Sequence, residues 1–290
     1  MKTMYRNAAA AALAGALVCG TAACSAESGK PAADRGSDAA KASATPVELS
    51  PVAAVKKATA NNEKLTSLTY SMTGKVPGAG TIEAEAAMAM KPLGMRMTMR
   101  MEVEGKPQEV EIRLVDGALY LNGGKEAAAE MDGKSWMKLP TDQTGEGASG
   151  LPSTFDQNPA DESASLTAAD DLTRVGEETV GSVATTHYTG TVGLDDMRAA
   201  LAGEDAETKK RREKSLKDYE TLGIDKLTMD IWIDKDDRAK QFRLRGAAKQ
   251  GPLDMLIKFL DYNKPVEIKA PPASETVDLA EMMKGAQPAA

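Results

Sequence analysis

The sequence predicts an α+β fold, a strongly curved antiparallel sheet with helices in or over its concave face. Three observations predict it. From Leu68 onward, apolar residues recur with period two in about ten segments, each with one apolar side. Helical periodicity is confined to residues 50–65 and 194–223. An antiparallel sheet must cover its apolar face, and so few weakly amphipathic helices cannot make a second layer of equal extent. A sheet that partly wraps its helices removes the shortage.

The chain begins differently. "MKTMYRN" carries Lys2 and Arg6, and "AAAAALAGALVCG" follows as an apolar stretch too short to span a bilayer. Small residues then precede a cysteine in "TAAC", which resembles a bacterial lipobox. Residues 1–23 therefore read as a lipoprotein signal peptide. Cys24 reads as the lipid anchor to a membrane, and Cys19, preceded by Val18, as the poorer candidate. With Cys19 removed and Cys24 acylated, the mature chain has no free thiol and no disulfide. Residues 24–49 are rich in Ala, Ser, Gly and Pro and hold too little apolar surface to offset chain entropy. They read as a lipidated N-terminus and disordered tether spanning roughly 25–30 Å. A single domain is expected over 50–285, with a tail at 286–290. The net charge of −7 argues against nucleic acid as a partner.

Within the domain, Ser50 and Pro51 open a helix as N-cap and first helical residue, ending near Leu65. "LTYSMTGKV" then alternates Leu68, Tyr70 and Met72 against threonine and serine. A hairpin follows with Lys91–Gly94 as a four-residue loop, which sets Met90 opposite Met95 and Met88 opposite Met97. This puts Met88, Met90, Met95, Met97, Met99 and Met101 on one face, but leaves Glu83 opposite Glu102 as an unexplained like-charge pair. Asp116-Gly117 marks a two-residue turn that pairs Leu114 with Leu119 and Ile112 with Leu121. Residues 140–165 are loop-like and long, which suits a flap or an insertion. "TRVGEETVGSVATTHYTGTV" is a hairpin turning near Val180–Ser182. Residues 194–223 are helical with a break near Gly203. The next hairpin sets Met229 opposite Leu244 and Ile231 opposite Phe242, with Asp230 opposite Arg243 behind them. "LDMLIKFLDYNKPVEIKAPP" supplies the last strands.

This order and phrasing resemble actinobacterial lipoproteins of the LppX/LprG type, within the wider LolA/LolB-like fold. The resemblance rests on the lipobox and tether, on "LTYSMTGKVPG", on the Thr-His-Tyr strand after a glycine-acidic turn, and on "DYNKPVEIKAPP" with "VDL" soon after. It implies a half-barrel sheet, an apolar cavity between sheet and helices, and a role in binding and carrying or presenting lipid or glycolipid acyl chains outside the cytoplasmic membrane of an actinobacterium. Ile112, Leu114, Met229 and Ile231 join the six methionines as the expected cavity lining.

Catalysis finds little support. His187 is the sole histidine, and no G-x-S-x-G elbow, glycine-rich phosphate loop or H-E-x-x-H is present. The protein is read as a non-enzyme without cofactor. The methionine row keeps three readings open: ordinary core packing, an adaptable wall for acyl chains, or a thioether site for Cu(I). An envelope sensor that docks another protein is the further alternative. The basic run "TKKRREK" (208–214) fits a solvated helix face or contact with anionic headgroups.

Overall fold

The period-two stretches become a twelve-stranded sheet in this computed structural model, which describes residues 49–62, 64–103, 105–139 and 159–285. The first half comprises β1 (Ser67–Val76), β2 (Gly80–Met90), β3 (Leu93–Val103), β4 (Lys106–Val115), β5 (Ala118–Asn122) and β6 (Trp136–Leu139). The second comprises β7 (Thr173–Val180), β8 (Val183–Gly193), β9 (Lys226–Asp234), β10 (Ala239–Ala248) and β11 (Gly251–Tyr262), with β12 (Thr276–Asp278) placed beside β6. The order is β12-β6-β5-β4-β3-β2-β1-β11-β10-β9-β8-β7. Only β12–β6 is parallel among these pairs. The sheet is curved and unclosed.

The helices are α1 (Pro51–Asn62), α2 (Gly124–Glu130), α3 (Pro159–Glu162), α4 (Leu194–Ala200), α5 (Ala206–Leu222) and α6 (Leu279–Gly285). Ser50 caps α1, its Oγ accepting from the Ala53 amide at 3.3 Å. The break expected near Gly203 is real. A 3₁₀ turn, Leu201–Gly203, ends α4, and Asp205 Oδ1 accepts from the Thr208 amide at 3.0 Å to start α5. Two segments differ from expectation. Residues 159–168 are helical, α3 running into a 3₁₀ turn (Ser163–Ala168), where a loop was expected up to 165. Residues 264–272, expected as part of the last strands, carry no regular structure. Pro265, Pro271 and Pro272 lack the amide a strand ladder needs there. Residues 140–158, the leader, the tether and the tail lie outside the described residues.

The methionine hairpin has the expected faces but a different register. Its turn is Lys91-Pro92, so Met90 pairs with Leu93, Met88 with Met95, Ala86 with Met97 and Ala84 with Met99. A shift of two residues preserves side-chain parity, so no methionine changes face. It also removes the electrostatic conflict, because Glu83 now faces Arg100. The Asp116-Gly117 turn has both residues at positive φ, 49° and 72°, as a type I′ hairpin requires. Leu114/Leu119, Ile112/Leu121, Met229/Leu244 and Ile231/Phe242 pair as expected.

β1 and β11 join the two halves, so one apolar face runs unbroken across the sheet. A single row of partners reads Val110, Met99, Ala84, Met72, Ile257, Phe242, Ile231, Tyr188. The row beside it reads Leu121, Ile112, Met97, Ala86, Tyr70, Phe259. All belong to the same hydrophobic cluster as Ala54, Val55 and Ala58 of α1. Where β1 meets β11 the backbones approach closely: a Cβ on Gly74 would lie 2.1 Å from the Asp254 carbonyl oxygen. No side chain fits there.

Candidate functional site

All ten expected lining residues lie on the apolar face. Met88, Met95, Met97, Met99, Ile112, Met229 and Ile231 are buried, and Met90, Met101 and Leu114 pack half-buried against the same cluster. The methionines of β2 and β3 thus form a patch of flexible thioethers on one half of the sheet. The other half is covered by the turn at 163–168, which touches α1, α4, β8 and β9. Leu166 is its fully buried anchor. Gly190 of β8 makes the seat: a Cβ there would lie 2.8 Å from Ala169 Cβ and 3.0 Å from Leu166 Cδ1.

Above this seat the helices leave a cleft of about 240 Å³. Lys56, Thr59 and Ala60 of α1 form one wall, and Ala164, Ser165 and Thr167 a second. Met197 and Ala200 of α4, with Glu204 and Arg212, close the rest. Small side chains create the space. None of the ten expected residues lines it. A smaller void of about 10 Å³, lined partly by Ser165, Met197 and Arg212 as well, lies next to it. Arg212 is held by Glu204 at 2.8 Å, whereas Lys56 is exposed at the rim. Deeper, the Tyr219 hydroxyl donates to Glu162 Oε1 at 3.1 Å, and burial, then Glu162, pushes its pKa well up. The cleft is therefore apolar on the α4 side and charged at one rim.

The opposite face of the sheet carries a polar ladder. His187 Nδ1 lies 2.9 Å from Glu178 Oε1, and Nε2 lies 3.0 Å from Asp230 Oδ1. Trp232 donates to Glu178 Oε2 at 2.7 Å and stacks on His187 with ring centres 4.2 Å apart. The Trp232 hydrogen bond, and then His187, hold Glu178 below the usual carboxylate range. Arg245 donates to Asp230 Oδ2 at 2.5 Å, and Arg243 forms a two-point pair with Asp254 at 2.8 and 2.7 Å. The sequence places Trp232 beside Gln241 on this polar side, and so does the structure. Its burial there comes from the imidazole stack, which no local pattern announces. Both nitrogens of His187 are taken by carboxylates, so the ring acts as a strut between β7, β8 and β9.

No helix of the described residues is long and apolar enough to cross a membrane. Comparison with known proteins gives relatives at two levels. An uncharacterized 31.2 kDa protein of Streptomyces griseus is 33% identical over 260 residues, spanning 84% of this chain and 84% of that one. A candidate lipoprotein of Streptomyces coelicolor is 27% identical over 179 residues, 60% of this chain and 53% of its own. Among solved structures, the Mycobacterium tuberculosis lipoprotein LppX is similar with a TM-score of 0.46 and 13% identity, over 76% of this chain and 98% of that chain. The model of a family of unknown function, DUF6612, matches residues 52–241, and this chain belongs to that family.

Proposed function

We propose that this is a lipid-anchored envelope lipoprotein that binds lipid acyl chains between its sheet and helices and carries or presents them. One observation carries the reading: the apolar face is continuous from β5 to β8, and its part on β2 and β3 is a methionine patch. A cleft of about 240 Å³ between helices on that side is slightly below the size usual for a ligand pocket, roughly 300–1,000 Å³. The methionines of β2 and β3 do not line this cleft; they offer acyl chains a separate apolar wall, because unbranched thioethers re-pack around varied shapes better than branched side chains. The Streptomyces coelicolor relative named as a lipoprotein supports the anchor at Cys24, from which a place on the outer face of the cytoplasmic membrane would follow. On this reading no residue performs covalent chemistry, and His187 is structural.

Native mass spectrometry of the chain purified from an actinobacterial host tests the proposal. Co-purified lipid of acyl-bearing mass is expected. Bound copper without lipid supports the thioether-metal reading instead. A bare chain that also fails to take up added fatty acid defeats acyl binding and leaves protein docking.

A further inference from the structure

The charge on α5 is unevenly answered. Glu213 is met by Lys209 at 4.0 Å, Glu220 by Arg198, and Glu204 just before the helix by Arg212 at 2.8 Å. Asp218 is only half exposed and engaged. Lys210, Lys214 and Lys217 remain. All three are exposed, and among the described residues none has a carboxylate within 4.0 Å. Their spacing of i, i+4 and i+7 places them in one stripe along the helix. The opposite side of α5 buries Ser215, Leu216 and Tyr219, so the stripe is turned away from the core. In a chain of net charge −7, this is a local excess of positive charge. The cleft lies on the other side of this helix, because Arg212, which lines it, shares the buried side with Ser215, Leu216 and Tyr219.

We propose that the Lys210–Lys214–Lys217 stripe docks the protein on an anionic bilayer surface. Charge complementarity selects this partner: lysine ammonium groups on long stems meet a diffuse layer of phosphates without requiring a fixed geometry. Each contributes about fivefold to partition onto an anionic surface, so three contribute on the order of 100-fold. The docking rests on the acyl-chain reading for its purpose, though not for the binding event itself.

The test is co-sedimentation of the full chain carrying Cys24→Ser, so that no acyl anchor contributes. Vesicles rich in phosphatidylglycerol are compared with vesicles of phosphatidylcholine alone. Binding to the first is expected, falling as salt shortens the screening length. Lys210→Gln, Lys214→Gln and Lys217→Gln combined should lower the partition on the order of 100-fold. The equivalent change of the exposed strand residues Lys75, Lys106 and Lys258 should leave it within about threefold. Fatty-acid uptake by the α5 variant reports whether it is folded and is expected to persist. Equal binding by both triple variants, equal binding to both vesicles, or no binding by the parent chain overturns the proposal. So does capture by soluble polyglutamate but not by vesicles. If the parent chain docks yet takes up no fatty acid, the acyl-chain reading falls and the docking surface stands.

Discussion

Consider Met97 and its neighbour Arg96, one residue apart and on opposite faces. Met97 is 1% exposed and sits between Ala86 of β2 and Ile112 of β4. Truncation to alanine removes three buried heavy atoms, worth about 2.4 kcal/mol at roughly 0.8 kcal/mol each. A cavity cost adds to this, because Ala86 is too small to fill the gap. The expected loss is about 3–4 kcal/mol, inside the range of 2–5 kcal/mol for such changes. In a domain of this size that lowers Tm by roughly 6–16 °C. Met97→Asp places a charge on the same enclosed face, and its cost approaches the whole stability of a typical domain, about 5–15 kcal/mol. Arg96 is exposed, opposite Ala87 and Arg113, and its removal also relieves a like-charge pair. Arg96→Ala should stay within about 0.5 kcal/mol of the parent. Urea melts of the three variants measure this. Equal, small shifts for Met97→Ala and Arg96→Ala would refute the assignment of faces.

Gly74→Ala should cost several kcal/mol, because its Cβ would meet the Asp254 carbonyl at 2.1 Å, whereas Gly203→Ala, with nothing within 4 Å, should be near neutral. Thermal melts compare the two. The Arg243 hydrogen bond lowers the Asp254 pKa, and the Trp232 hydrogen bond lowers that of Glu178. A carboxylate lowered on folding stabilises above its unfolded pKa, and that contribution is lost as pH falls through the folded value. Stability should therefore decline below about pH 4, and Asp254→Asn should be less stable at neutral pH with a shallower acid decline. Urea midpoints against pH read both effects. Cys24→Ala should abolish incorporation of labelled fatty acid and release the chain from membranes; label retained by the variant contradicts the anchor.

What could be read from the sequence was what short-range chemistry encodes. Period two gave the strands and their faces, and Asp116-Gly117 fixed a register outright because both residues accept positive φ. The methionine hairpin shows the limit. Alternating residues are compatible with any even shift, so "KPLG" left two registers with identical faces, and only the Glu83 conflict hinted at the right one. The pairing of β1 with β11, which makes the apolar face continuous, joins residues far apart in sequence with no local signal. The cleft was invisible for a related reason. It is made by small residues such as Ala60, Ala164, Ser165 and Ala200, contributed by separate segments, and a gap has no sequence pattern of its own. The turn at 163–168 went unseen because Leu166 is its one large apolar residue.

The most direct test of acyl binding is displacement of a fluorescent fatty acid by unlabelled acyl chains of several lengths, on the parent chain and on Met97→Leu/Met99→Leu. Leucine nearly conserves volume, so the variant should lose less than about 1.5 kcal/mol of stability. Acyl binding predicts saturable displacement on both proteins, with the preferred chain length changed in the variant because a branched, stiffer wall adapts less. A parent chain that binds no acyl chain at any length would contradict it and leave the methionines as packing.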